Sequence, residues 1–125
     1  MSKPLSELGH AIAEILATAE GRVNAVTAAD IANRLDMSSR RVREIISTEF
    51  KALSRCLPAP LISIPPTGYW LSTEADDLRE RQQWLTTNRD RYDIALREHR
   101  AMCRDHGLEG VLHEAPKPTT NQRKP

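Results

Sequence analysis

The chain has 125 residues, of which 39% are hydrophobic and 4% aromatic, and its formal net charge is +1 at pH 7. This length suits one domain with a tail, and the near-neutral charge argues against a protein that coats DNA non-specifically. The sequence shows no membrane-spanning run, no signal peptide and no paired-cysteine metal motif, so we expect a cytoplasmic protein without membrane contact or cofactor.

The first predicted element is an amphipathic helix over residues 5–19. Its apolar side chains recur at helical spacing. They are Leu5, Leu8, Ile12, Ile15 and Leu16. Ser6 or Pro4 lies near its start, and we expect Gly21 to end it.

Residues 27–46 predict two short helices joined by a tight turn. Thr27 can cap the first helix together with Asp30, and Ser38 can cap the second. Asp36 lies at the turn, where aspartate tolerates the left-handed conformation. Apolar or small side chains fall where the two helices would cross. They are Ala32, Leu35, Met37, Val42 and Ile45.

The second of these helices is predicted from about residue 39 to residue 55, before Pro58 and Pro60. Its inward side is apolar, with Val42, Ile45, Ile46, Phe50 and Leu53. Its outward side carries Ser39, Arg40, Arg43, Glu44, Ser47 and Lys51, with Arg41 at the boundary. Arginine and serine at the start of such a helix favour contacts with phosphates and base edges in a major groove. The alternative is an ordinary helical core with a solvated charged face.

A β-hairpin is predicted next. Residues 61–64 and 69–72 alternate as strands, and residues 65–68 have strong turn chemistry. The turn contains no lysine or arginine, so Thr67 or backbone amides would make any contact with phosphate. The alternative is a hairpin that does not touch DNA.

Two segments resemble the winged-helix DNA-binding domains of bacteria and their phages. Residues 30–46 read DIANRLDMSSRRVREII, with Asp36 in place of the glycine that is usual at the turn. Residues 68–71 read GYWL and are similar to the strand that leaves a wing. The resemblance covers about residues 5–72. It implies a mainly α fold with a small β-hairpin wing, a winged helix-turn-helix, and a short strand over residues 22–26.

From residue 73 to about residue 105 the chain has no glycine or proline, and it predicts a long C-terminal helix of roughly 45 Å. The alternative is two helices broken near residues 86–88. A single helix would expose an apolar strip to a second copy or another partner. The strip consists of Leu78, Trp84, Leu85, Tyr92, Leu96 and Met102.

Enzyme and metal chemistry find little support in the sequence. His99, Cys103 and His106 would share a helical face, with His113 as a fourth zinc ligand, but a partly buried cysteine beside surface histidines explains the same residues. There is no phosphate-binding loop, nucleophile elbow or catalytic carboxylate pair, so we expect no enzyme.

The sequence thus predicts a winged-helix DNA-binding domain over residues 1–72, a helical dimerisation or partner region over 73–112, and a disordered tail over 113–125. We expect a homodimer that binds double-stranded DNA sequence-selectively, as a transcription regulator or a replication or packaging adaptor. The alternative is a protein–protein interaction module that uses the long C-terminal helix and does not bind DNA directly. The candidate DNA-binding residues are Thr27, Ser38, Ser39, Arg40, Arg41, Arg43, Glu44, Ser47, Lys51 and Thr67.

Overall fold

The computed structural model describes residues 4–113 and contains, in that range, six α-helices and a two-stranded antiparallel hairpin. The elements are α1 (Glu7–Leu16), α2 (Ala28–Leu35), α3 (Ser39–Thr48), α4 (Phe50–Cys56), β1 (Leu61–Ile64), β2 (Gly68–Leu71), α5 (Ala75–Thr87) and α6 (Arg89–Asp105). The predicted fold class is confirmed: the chain is mainly helical, has a hairpin between helices, and carries a long C-terminal helix. This element order is consistent with a winged helix. Nearly all of the predicted tail lies outside the described residues.

The turn between α2 and α3 forms as the sequence predicts. The Thr27 hydroxyl accepts the backbone N–H of Asp30, and the Asp30 carboxylate accepts that of Thr27, each at 3.0 Å. The Ser38 hydroxyl accepts the N–H of Arg41 at 3.1 Å. Asp36 has a φ of 53°, which is the left-handed conformation. These local interactions fix where α2 ends and α3 begins.

The predicted second helix is in fact two helices, since α3 ends at Thr48 and α4 begins at Phe50. Between them, Glu49 has a φ of −109° and a ψ of 18°. Its carboxylate accepts the backbone N–H and the hydroxyl of Ser6, each at 2.8 Å. Gly9 makes room for this contact, because a Cβ there would lie 2.6 Å from Glu49 Oε1. The break therefore joins the start of α1 to the end of α3.

Three details near the N-terminus differ from the sequence prediction. Helix α1 ends at Leu16, so Gly21 does not end it. In α1, Leu8 is exposed rather than part of the inward stripe. Residues 22–26 do not form a strand, because Arg22–Asn24 is a 3-10 turn. Within residues 22–26, only Val26 pairs with the hairpin, through N–H to carbonyl bonds with Tyr69 of 2.9 and 2.7 Å. Gly68 permits this close approach, since a Cβ there would lie 2.5 Å from the Val26 carbonyl oxygen.

The C-terminal segment forms two helices, which is the alternative that the sequence left open. Asn88 separates α5 from α6, and the two helices pack against each other. As a consequence, four of the six residues predicted for an exposed apolar strip are buried inside the chain. They are Leu78, Leu85, Leu96 and Met102. The strip prediction is wrong for these four because it assumed one straight helix, whereas paired helices bury each other's apolar side chains.

A single hydrophobic core spans both predicted domains. It includes Trp70 and Leu53 from the first part of the chain, and Leu78 and Met102 from the second. The predicted division at residue 72 therefore does not coincide with a gap in the core. None of the helices within residues 4–113 is long and apolar enough to cross a membrane.

Candidate nucleic-acid interface

Helix α3 carries three exposed arginines near its N-terminus: Arg40, Arg41 and Arg43. Arg41 forms an ion pair with Glu44 one turn along the helix. Arg40 and Arg43 have no hydrogen bond or ion pair with any side chain in residues 4–113. Two guanidinium groups on this helix are thus available to phosphate oxygens or base edges.

The helical period places these two arginines differently. Val42 and Ile45 point into the core, and Arg40 lies on the side of α3 opposite them. Arg43 lies on a flank, where it borders a cleft together with Ser47 and Tyr69. Arg40 is therefore the central cation of the exposed face, and Arg43 is at its margin.

The remaining predicted contact residues vary in their availability. The hydroxyls of Thr27 and Ser38 each accept a helix-capping N–H, and Ser39 is half-buried. Ser47 is exposed on α3. Lys51 is also exposed, but it lies on α4, past the break at Glu49, so it does not continue the face of α3.

The hairpin turn offers few contacts to DNA. The backbone N–H of Thr67 donates to the Ile64 carbonyl at 2.9 Å, so this amide is used within the turn. The expected amide contact with phosphate is therefore not available at Thr67. Its hydroxyl remains the group at this position that could accept or donate.

His99 and Cys103 lie in the interior, with 4.0 Å between His99 Nε2 and Cys103 Sγ. Burial lowers the pKa of His99 to about 4, and burial raises the pKa of Cys103 to about 11. The His99 Nε2–H donates to the Leu78 carbonyl at 3.0 Å, which fixes the neutral tautomer. Across residues 4–113, no group of three or more His, Cys, Asp or Glu side chains is arranged to hold a metal ion.

The buried His99 predicts a specific pH dependence of stability. Its pKa is about 4 when folded and 6.5 ordinarily, so the unfolded chain takes up a proton first as the pH falls. Burial is the main cause, and the nearby cations Arg81 and Arg100 add to it. This residue should therefore remove about 2–3 kcal/mol from the free energy of unfolding between pH 7 and pH 4.5.

Denaturant unfolding of the wild type and of His99→Gln at both pH values tests this expectation. Glutamine can still donate to the Leu78 carbonyl but does not titrate, so the stability difference between the two proteins should shrink as the pH falls. A difference that is equal at the two pH values would show that His99 does not titrate in this way.

A cleft of about 220 Å³ lies beside α3, between that helix, the hairpin and the α5–α6 pair. Arg81, Tyr69 and Glu98 line it. The sequence analysis did not select these residues. The available signal was the position of Arg81, which lies between the apolar residues Leu78 and Leu85 of the predicted strip.

Comparison of the chain with protein-family models, with curated proteins and with solved structures found no match.

Proposed function

We propose that this protein binds double-stranded DNA through α3, in the manner of a winged helix. The observation that supports this most is the pair of unpartnered guanidinium groups of Arg40 and Arg43 on an exposed helix, directly after a capped helical turn. A guanidinium donates through a rigid fork that matches the acceptor edge of guanine and the oxygens of phosphate.

The two arginines have different proposed roles. Arg40 faces away from the core near the N-terminus of α3, where a helix in the major groove reaches base edges. Arg43 lies on the flank of α3 and is placed to contact a phosphate at the groove wall. Arg41 already pairs with Glu44, so it contributes less. With so few free cations, each subunit makes few phosphate contacts, and its affinity falls only moderately with salt.

Selection from a random pool of duplexes, followed by affinity measurements on the selected site, tests this proposal. Arg40→Ala and Arg43→Ala should each weaken binding by about 1–3 kcal/mol, because each removes a charge-assisted contact. Arg40→Ala should also relax the preference at one base position, whereas Arg43→Ala should weaken binding to all sequences alike.

Arg91→Ala is the matched control, since Arg91 is an exposed arginine on α6 rather than on α3. Its affinity should equal that of the wild type. The proposal fails if selection enriches no sequence, or if both α3 variants bind as tightly as the wild type while circular dichroism shows them folded.

We also propose a homodimer, but the apolar surface that would form its interface is smaller than the sequence predicted. Of the six predicted strip residues, Trp84 and Tyr92 are partly exposed, and their rings lie 5.0 Å apart. Ile94 of α6 is 71% exposed and is a further apolar contact for a partner. The same exposed side chain favours the interaction-module alternative, in which α6 binds another protein. Sedimentation of the full chain distinguishes them, because a monomer at micromolar concentration contradicts the homodimer.

A further inference from the structure

Arg81 is a half-buried cation that has no anionic partner within residues 4–113. It lies on α5 with its guanidinium 5.2 Å from the centre of the Trp84 ring. Loss of water on burial lowers the pKa of Arg81. No carboxylate within residues 4–113 pairs with it. Removing a cation from water without a compensating anion is costly, and a cation–π contact offsets only part of that cost.

A second unpaired cation, from a different helix, borders the same cleft. Arg43 of α3 lines the cleft together with Arg81 and Tyr69. Both guanidinium groups act on the Tyr69 phenol, where they partly oppose the rise in its pKa that burial causes. Arg43, Arg81 and Tyr69 therefore border one cleft, and the two cations give it a positive potential.

The rest of the cleft does not neutralise these charges. The carboxylate that lines the cleft is Glu98, and burial raises the pKa of Glu98. The cation that opposes this rise is Lys51, not Arg43 or Arg81. His99 is neutral because burial lowers its pKa to about 4, and its Nε2–H is bonded to the Leu78 carbonyl. The lining also includes apolar surface from Phe50, Tyr92 and Ala95.

We propose that this cleft binds a small organic monocarboxylate, with the carboxylate between Arg43 and Arg81 and an apolar body against Phe50, Tyr92 and Ala95. The cleft measures about 220 Å³, and an apolar cavity of roughly 150 Å³ already accommodates benzene, so a ring with one short substituent fits. Arginine forks bind a carboxylate through two parallel hydrogen bonds. Glu98 in the same cleft disfavours a dianion such as a phosphate monoester.

A titration of the isotopically labelled full chain, without DNA and at constant ionic strength, tests the site. Benzoate and hexanoate are the probes, and benzyl alcohol is the neutral match for benzoate. We expect benzoate to produce saturable amide and indole shifts around Tyr69, Arg81 and Trp84, and to bind at least about tenfold more tightly than benzyl alcohol.

Arg81→Met and Arg43→Met keep the length of the side chain and remove its charge. Each should weaken benzoate binding at least about tenfold, while Arg91→Met should leave it unchanged. Thermal unfolding checks that Arg81→Met is folded, and Arg43→Met tests the site independently from a different helix. Binding of benzyl alcohol as tight as that of benzoate, no saturable shift with either carboxylate, or full binding by both variants would overturn the proposal. Because DNA is absent, failure of the DNA-binding proposal would not change this result.

Discussion

Replacing Trp70 with alanine is expected to lower the free energy of unfolding by about 3–5 kcal/mol. The Trp70 side chain is fully buried in β2, and its Nε1–H donates to the Asp77 carboxylate at 3.2 Å. The Arg22 guanidinium lies 5.0 Å from the ring centre and also contacts Asp77. Truncation would leave a cavity and would remove the indole donor from a buried carboxylate, so both the packing and the polar contact are lost.

Chemical denaturation followed by circular dichroism measures this effect. Trp84→Ala is the matched control, because Trp84 is only half-buried and stacks on Tyr92 at the surface of the α5–α6 pair. Trp84→Ala should lower the free energy of unfolding by about 1 kcal/mol. Trp70→Phe keeps most of the side-chain volume but lacks the indole donor. Its loss of unfolding free energy should lie between those of Trp84→Ala and Trp70→Ala. A Trp70→Ala protein no less stable than Trp84→Ala would contradict the placement of Trp70 at the centre of the core.

Truncation after Ser72 is expected to abolish cooperative folding. The removed helices cover β1, and they contribute Leu78, Met102 and Cys103 to the shared core. They also contain Asp77, the partner of the Trp70 indole. A fragment of about seventy residues already has a marginal core, and it would expose Leu61 and Trp70 to water.

Thermal unfolding of the fragment over residues 1–72 and of the full chain tests this expectation. The control is a chain ending at His113, which keeps every described element and should unfold at the temperature of the full chain. A sharp transition of the short fragment would show that residues 1–72 form an independent domain. It would then support the domain boundary that the sequence predicted.

Local signals explain which parts of the fold could be predicted. The α2–α3 turn can be predicted from the sequence, because its determinants act within a few residues. They are the helix caps at Thr27 and Ser38 and the left-handed Asp36. The break at Glu49 cannot be predicted in this way, because it depends on Ser6, which is 43 residues away. The apolar periodicity continues across Glu49 and predicts one helix where two exist.

In the candidate site, too, local features can be predicted from the sequence and long-range contacts cannot. Helical spacing correctly predicts that Arg40, Arg41 and Arg43 are exposed on α3. The burial of Arg81 arises only when α6 folds back against α5 and the hairpin, so no spacing within α5 could specify its surroundings. Similarly, Leu78 and Met102 have the spacing of an exposed strip but lie in the core, since their partners come from distant parts of the chain.

DNA binding through α3 is tested most directly by mapping the amide chemical-shift changes that occur when the labelled protein is titrated with its selected duplex. DNA binding through α3 predicts that the largest changes fall on residues 38–47, with residues 100–105 of α6 unaffected. Changes centred on α5 and α6, or no changes on α3 at saturating duplex, would contradict DNA binding through α3.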